Sequence, residues 1–260
     1  MNYKIFDPYK DRMIAFSTER EGYFDNSTEG ASQGTYGDLN LCHYVNDNLA
    51  HVELNREIFC AYHGIERDRL FVPRQTHSCN VKRIEIGVDL EETDGLICNL
   101  RGVCIGVNTA DCLPVLLYDP INHAAAAIHA GWRGLASRIV TKGIEMMMRD
   151  FGSMASDLVC AVGPAISAKI YEVGDELKPQ FAQAGFPIEE IFIDRIDWAK
   201  SHLSLQRAIK WELLTCGIKE TNIEISGVCT YQNSDKYFSA RRLGIDSGRI
   251  FSGIILKKTE

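Results

Sequence analysis

The fold of this 260-residue chain is most clearly indicated by one segment, residues 109–134, TADCLPVLLYDPINHAAAAIHAGWRG. Two short apolar runs, 113–118 and 124–129, flank a polar turn that contains a proline. Apolar runs of this length, separated by turn residues, predict two buried strands. With antiparallel pairing, Cys112 before the first run and His129 at the end of the second lie at the same edge of one sheet. The stretch therefore predicts a sheet edge that carries a thiol and an imidazole.

The glycine-containing turn GWRG, residues 131–134, follows the second run at once and opens a helical pattern. A strand, a glycine-containing turn and a helix start offer free backbone N–H groups to an anion. Arg133 adds a positive charge at the same place. We therefore expect the chemistry of the protein to take place here, with Arg133 as a substrate-binding candidate.

On either side of this central stretch, apolar periodicity and turn residues predict the remaining elements. The expected strands cover residues 13–17, 70–73, 80–86, 95–99, 102–108, 157–163, 223–229 and 250–256, and the expected helices cover about 46–63, 134–151, 175–185 and 197–217. Asn46 or Asp47 is the expected cap of the first helix. Residues 21–37 are expected to form a polar surface loop, and Asp94 with Gly95 is interpreted as a turn. The order predicts an α/β fold of mixed strands with helices outside, in one domain over residues 1–260.

Composition narrows the class of protein. The formal net charge is −7 and no dense Lys/Arg run is present, which argues against a nucleic-acid partner. No apolar window approaches the ~18 residues of a spanning helix, and the N-terminus has no secretory pattern, so neither a membrane nor export is expected. The nine cysteines are scattered and odd in number, with no CxxC pair. They are typical of a reducing compartment, so we expect a cytoplasmic protein.

Two readings of the chemistry remain open from the residues alone. His77, which lies between two predicted strands, can join Cys112 and His129 as a ligand of Zn²⁺; three protein ligands leave a fourth position for water or substrate. Alternatively, Cys112 acts as a nucleophile with His129 as its base and a turn N–H as oxyanion donor. Asp111 can orient a ligand or act as a general base, and a structural role in the turn is equally compatible with its position.

Other polar residues are candidates for substrate contact. Gln75 and Asn40 can hydrogen-bond a base or a sugar. A phosphate or carboxylate calls for a guanidinium. The candidates for that role are Arg20, Arg56, Arg133, Arg241 and Arg242.

Short motifs along nearly the whole chain resemble the YfiH-type laccase-domain family, whose members are named polyphenol oxidases and are associated with purine nucleoside phosphorolysis. The most specific pair is TADCLPV at 109–115 followed by HAGWRG at 129–134. Further matches are YGDLNL at 36–41, NR at 55–56, QTH at 75–77, GPAI at 163–166, YEVG at 171–174 and FSARR at 238–242. Two positions depart from the family pattern: Arg20 is shifted by one residue, and Lys169-Ile170 replaces a frequent cysteine.

The resemblance implies a zinc held by His77, Cys112 and His129. It also implies a layered α/β/β/α sandwich similar to toxin-like cysteine deamidases. The implied activity is phosphorolysis of adenosine, inosine and methylthioadenosine, with adenosine deamination as a second reaction, so purine nucleosides and phosphate are the expected small-molecule partners. Among the candidates above, Asn40, Arg56, Gln75 and Arg133 are the residues expected to contact the substrate; no protein partner is indicated.

Three alternatives accompany this expectation. A copper polyphenol oxidase is disfavoured, because seven scattered histidines with no His-x-His pair cannot fill a multicopper centre. An amidase that edits peptidoglycan precursors would use Cys112 or activated water as its nucleophile. A non-catalytic metal-binding protein would have a closed site with four ligands. A purine slot with aromatic or apolar walls would favour the nucleoside enzyme over the amidase.

Overall fold

The computed structural model describes residues 1–21, 30–195 and 199–258. In chain order the elements are β1 Met13–Ser17, α1 Leu49–His63, β2 Leu70–Phe71, β3 Val81–Arg83, β4 Gly95–Cys98, β5 Val103–Thr109, β6 Leu113–Asp119, β7 Ala124–Ala130, α2 Trp132–Ala136, α3 Ile139–Phe151, β8 Val159–Val162, α4 Leu177–Gln183, α5 Ile188–Ile191, β9 Phe192–Ile193, β10 His202–Leu203, α6 Leu205–Thr215, β11 Ile223–Ile225, α7 Ala240–Leu243 and β12 Ile250–Leu256. No helix within these residues is long and apolar enough to cross a bilayer.

The two apolar runs of the central stretch form the middle of a six-stranded sheet with the order β11-β8-β6-β7-β4-β3. β6 and β7 are antiparallel, and Pro114 pairs with His129. Every residue of both strands is buried, because the sheet is covered on both faces. The predicted antiparallel pair is confirmed, and its register places Cys112 and His129 at one edge.

A second sheet has four strands in the order β1-β12-β5-β2. β5 belongs to this sheet, whereas β6, which follows it after only three residues, belongs to the six-stranded sheet. Cys112 therefore lies where the chain crosses from one sheet to the other. This crossing positions the candidate site.

Three apolar cores show how the layers stack. Between the sheets lie side chains from both, such as Ile105 and Ile254 from one and Leu116 from the other. Helix α1 covers the outer face of the four-stranded sheet, where Phe59 and Cys60 belong to one cluster with strand residues. Helices α2, α3, α4 and α6 cover the outer face of the six-stranded sheet. The predicted α/β/β/α layering is confirmed; the similarity to toxin-like cysteine deamidases stays a prediction.

Several local predictions needed correction. The helix expected at 134–151 is broken into α2 and α3 by Arg138, whose φ is +58°. The Arg138 side chain donates to the carbonyl of Ala184 and lies over the Trp211 ring, so long-range contacts fix this break. The cap of the first helix is Asn48 rather than the expected Asn46 or Asp47. The helix ends at Gly64, which has a left-handed backbone conformation.

The helix expected from residue 197 begins only at Leu205. Its N-cap is Ser204, whose side chain accepts a hydrogen bond from the Arg207 N–H. His202–Leu203 instead pairs with Phe192–Ile193 as a two-stranded ribbon. Residues 197–198 of this predicted helix and 22–29 of the predicted surface loop lie outside the described residues.

Candidate metal centre

Three side chains from separate segments meet at the crossing between the sheets. His77 lies in the loop between β2 and β3, Cys112 in the short connection between β5 and β6, and His129 near the end of β7. Their ligand atoms all lie within 4.8 Å of one another. The Cys112 Sγ atom is 3.9 Å from the His77 Nε2 atom. The structure thus brings together the three residues predicted as metal ligands.

A fourth residue, Asp94, holds two of these segments in place. Its carboxylate is fully buried and accepts a hydrogen bond from His129 Nδ1 at 2.7 Å. It also accepts from the backbone N–H groups of Thr76, His77 and Ser78 at 3.2, 3.1 and 2.7 Å. Histidine ligands of metals characteristically donate their other ring N–H to such a carboxylate. This hydrogen bond fixes the ring orientation and leaves the lone pair of Nε2 free to bind a metal ion.

The sequence pattern predicted only a turn at Asp94. The feature that could have indicated its role is its position directly before the apolar run of β4, whose four residues are all buried in the structure. A carboxylate next to such a strand tends to be buried with it, and a buried carboxylate requires partners.

The thiol and the buried imidazole influence each other's protonation. Burial raises the pKa of Cys112, but the charges and hydrogen bonds of His129 and His77 outweigh it and bring the pKa down to about 6. Burial lowers the pKa of His129, but the Cys112 thiolate and the Asp94 carboxylate raise it to about 9. The site therefore favours a thiolate, which is the form that binds a metal ion or attacks an electrophile.

Backbone geometry around the ligands is unusual. Asp111 has a φ of +90° and His77 a φ of +59°, values that non-glycine residues rarely adopt. A Cβ atom on Gly131 would lie 2.9 Å from Cys112 Sγ and 3.1 Å from the His77 ring. The turn after β7 therefore needs glycine at this position to leave room for the two ligands.

The carboxylate of Asp111 is engaged in protein contacts. One oxygen accepts from the Thr230 hydroxyl at 2.6 Å and the other from the Arg241 backbone N–H at 2.7 Å. These bonds tie the 230–241 segment to the residue that precedes Cys112. Neither bond places the carboxylate on a ligand atom of the site, so its predicted catalytic role stays a prediction.

A cavity of about 510 Å³ opens over the three ligands. Its wall combines Tyr44, Val45, Ala110 and Ile245 with polar groups that include Gln75. The size and the mostly apolar wall with a few polar groups are typical of small-molecule sites. The Gln75 side chain, predicted to contact substrate, lines this cavity, but its amide bonds the backbone of Asn108 at both ends.

His77 also lines a second cavity of about 530 Å³. This cavity contains Arg133, whose guanidinium lies 4.4 Å from the centroid of the Trp132 ring. Arg241 stacks over the ring of Tyr171 at 5.4 Å. Burial raises the pKa of Tyr171, and the charges of Cys112, Arg241 and Arg133 all act on it, so these groups share one neighbourhood.

Other predicted contact residues lie away from both cavities. Asn40 is fully buried and bonds Asp47, and Arg56 donates to the carbonyl of Leu41 and contacts His43. Both residues hold the 40–48 segment behind the cavity wall, so the structure does not bring them to the substrate space. Of the remaining arginines, Arg20 donates to the Ser234 carbonyl and Arg242 lies over Tyr231.

The donor set fits a metal ion. Two ligands of a tetrahedral zinc, one sulfur and one nitrogen, are expected about 3.6 Å apart, since Zn–S is about 2.3 Å and Zn–N about 2.0–2.1 Å. The observed 3.9 Å between Cys112 Sγ and His77 Nε2 differs little from this value. Two imidazoles with one thiolate suit a borderline-soft ion. In the part of the chain that the structure describes, this cluster contributes three ligands, which leaves one tetrahedral position for another group.

The chain is a layered α/β protein in which three candidate metal ligands meet at the crossing of two sheets. The chain matches the family described as multi-copper polyphenol oxidoreductase laccase over residues 21–257, and it belongs to that family. The solved structure of the Bacillus licheniformis hypothetical protein YfiH superposes with a TM-score of 0.87 at 28% identity, covering 94% of this chain and 93% of that one. The YfiH-type resemblance is confirmed.

Two curated relatives have names that describe enzymes. A purine nucleoside phosphorylase of Bacteroides thetaiotaomicron is 36% identical over an alignment of 271 residues, which covers 99% of this chain and 96% of the relative. Adenosine deaminase RL5, from an unknown prokaryotic organism, is 38% identical over 253 residues, which cover 94% of each chain. These likenesses support an enzymatic role for this chain.

Proposed function

We propose that the protein is a zinc-dependent purine nucleoside enzyme of the cytoplasm. Its reactions are the phosphorolysis of adenosine, inosine and methylthioadenosine, and the deamination of adenosine. The observation that carries the proposal is that His77 lines two cavities of different chemistry, one mostly apolar and one in which Arg133 lies among several polar side chains. A nucleoside and a phosphate ion need such a pair of neighbouring spaces.

The first cavity suits the nucleoside. A purine ring needs flat apolar or aromatic walls, which Tyr44, Val45 and Ile245 offer, and its ring nitrogens need a few polar partners. This is the feature that we expected to separate a nucleoside enzyme from a peptide-cleaving amidase. Gln75 supports this cavity by holding the backbone of Asn108.

Arg133 and Arg241 are proposed to bind the phosphate. A guanidinium matches the geometry of phosphate oxygens, and the stacking of both side chains on aromatic rings limits the entropy that they lose on binding. In phosphorolysis a phosphate oxygen forms a bond to C1′ while the C1′–N9 bond breaks, and the electron pair leaves with the purine, which takes up a proton. The two arginines keep the nucleophile in place beside the ribose.

His77, Cys112 and His129 are proposed to hold the zinc. When bound, the ion supplies a Lewis acid that activates water or polarises a substrate group. Asp94 keeps the His129 ring oriented, and we propose that Asp111 positions the Cys112 connection, because both of its oxygens are bonded to protein groups. Zinc is preferred to copper because a laccase centre needs more imidazoles than this cluster brings together.

A second candidate function has one specific observation in its favour. Asp94, His129 and Cys112 form a chain in which a carboxylate orients an imidazole next to a thiol, as in cysteine hydrolases. In that case Cys112 would attack the carbonyl carbon of an amide, and the amine would leave after taking a proton from His129. An amidase acting on peptidoglycan precursors would use this arrangement without metal.

The test combines metal analysis with product analysis. Wild type, His77→Ala and Cys112→Ala are purified, the metal content is measured, and adenosine is incubated with phosphate before chromatography of the products. We expect about one zinc per chain, and adenine and inosine from wild type only. Cys216→Ala, which removes a partly buried cysteine outside the site, is the matched control and should behave as wild type.

The alternatives give other results. Zinc without turnover of nucleosides would move the assignment to an amidase that uses zinc-activated water as its nucleophile. Turnover in protein free of metal would exclude the zinc mechanism and leave Cys112 as the nucleophile.

A further inference from the structure

The side chain of Asn108 is a polar group in the cavity that the proposed reaction leaves unused. Asn108 is next to the end of β5, is only 3% exposed and lines the 510 Å³ cavity together with Tyr44. Among the described residues, neither its amide oxygen nor its amide nitrogen has a hydrogen-bond partner of normal geometry, although the Tyr44 hydroxyl is near enough to interact with it. A buried amide without such bonds is rare in proteins and calls for an explanation.

The backbone of Asn108 is held firmly. Its N–H donates to the Gln75 side chain at 2.7 Å, and its carbonyl accepts from the same side chain at 2.8 Å. On the other side it pairs with Phe251 of β12. Asn108 therefore lines the cavity from a rigid strand, which suits a residue that recognises a ligand.

Other polar groups on the same wall are committed to protein contacts. The Gln75 amide is used at both ends by Asn108, and the Asn46 amide donates to Asp246 at 2.7 Å. The Arg249 guanidinium donates to the carbonyls of Ser247 and Ile245. Among these groups of the described chain, Asn108 is the amide for which neither the oxygen nor the nitrogen has a hydrogen bond of normal geometry.

We propose that Asn108 recognises position 6 and N1 of the purine ring, with Tyr44 as a neighbouring wall. The amide oxygen accepts from a 6-amino group while the amide nitrogen donates to N1. After rotation of the amide by half a turn, the oxygen accepts from N1–H and the nitrogen donates to a 6-oxo group. One residue can therefore bind both adenosine and inosine, because an amide carries a donor and an acceptor side by side. This inference rests on the proposed function and deepens it.

The experiment compares adenosine with purine riboside, which lacks the 6-amino group. The ratio of their kcat/KM values in phosphorolysis is measured for wild type, Asn108→Leu and Asn108→Ala. In the two variants the ratio should fall by roughly tenfold from its wild-type value, since one hydrogen bond to the 6-amino group is lost. A ratio cancels effects that weaken both substrates equally, which is what a merely structural role would produce.

Controls separate the possible failures. Asn46→Ala changes another amide of the same cavity and should leave the ratio unchanged. Zinc content and thermal unfolding show whether the variants fold, and the smaller Asn108→Ala serves if leucine does not fit. An unchanged ratio in a folded variant that turns over adenosine overturns the role of Asn108 while the proposed function stands. If wild type converts neither nucleoside, the proposed function fails, and this inference fails with it.

Discussion

At the scale of single residues, Asp94 positions two of the three candidate metal ligands at once. A single buried carboxylate orients His129 and, through the backbone of residues 76–78, the loop that presents His77. The charge is buried only because these donors surround it; they outweigh the effect of burial, and the pKa of Asp94 stays below its ordinary value. Two ligands from distant segments thus depend on one residue that is not itself a ligand.

We expect Asp94→Asn to lower zinc affinity by about tenfold to a hundredfold, because the neutral amide orients and polarises His129 less well. Competition with a chromophoric chelator measures this. The matched control is Asp119→Asn. Asp119 is equally buried and bonds the backbone of Ile121 and Asn122 in the turn between β6 and β7, away from the site. Equal zinc affinity in wild type and Asp94→Asn would contradict the orienting role.

At the scale of elements, helices α3 and α6 are joined by a buried carboxyl group. Glu212 of α6 is fully buried and accepts hydrogen bonds from the N–H and hydroxyl of Thr141 on α3 through one oxygen. Its other oxygen has no hydrogen-bond partner within the described part of the chain. Burial raises the pKa of this carboxyl, so folding favours its neutral form.

The sign of the pH effect follows from this shift. The raised pKa gives full stability below the pKa of about 4.3 that glutamate has in the unfolded chain, and stability is lost as the pH rises toward the folded pKa. Glu212→Gln keeps the acceptor without a charge to bury. The variant should therefore match wild type in unfolding temperature near pH 4 and exceed it at pH 8. Glu145→Gln, on the exposed side of α3, is the control and should show no such divergence.

For the whole molecule, the candidate metal centre joins segments of the two sheets. His129 lies in the six-stranded sheet, Cys112 lies in the connection from the four-stranded sheet, and His77 lies in the loop between β2 and β3, which belong to different sheets. An ion bound by all three bridges segments that are otherwise joined by packing. Because such an ion binds the folded chain preferentially, it stabilises that state.

Removal of zinc should therefore lower the unfolding temperature by several degrees, as expected from the roughly 2.7 kcal/mol that a ligand contributes at a hundred times its dissociation constant. Calorimetry with and without a chelator, followed by addition of zinc, measures this. Cys112→Ser, with its weakened donor set, should show a much smaller response. A response of the same size in that variant would mean that zinc binds elsewhere.

Local sequence patterns predicted much of the fold and of the candidate site in this chain. The apolar runs around Cys112 and His129 predicted a pair of strands whose antiparallel pairing puts both residues at one edge. His77 was a candidate third ligand because it lies between two predicted strands, and the family resemblance implied the same set of three. Errors arose where distant contacts decide local structure, as at Arg138, which breaks a continuous helical pattern to bond Ala184 and stack on Trp211. Short-range periodicity does not contain those partners.

The residue types and their short spacing were enough to predict the paired strands and the three metal-ligand candidates, and the resemblance to a known family added the layered arrangement. Only the tertiary structure decided which polar residues serve the site. Asn40 and Arg56 turned out to bond the chain behind the cavity wall, whereas Asp94 and Asn108 face ligands or substrate space. A polar residue has the same appearance in sequence in either case. Its partner is chosen by folding, through neighbours far away in the chain.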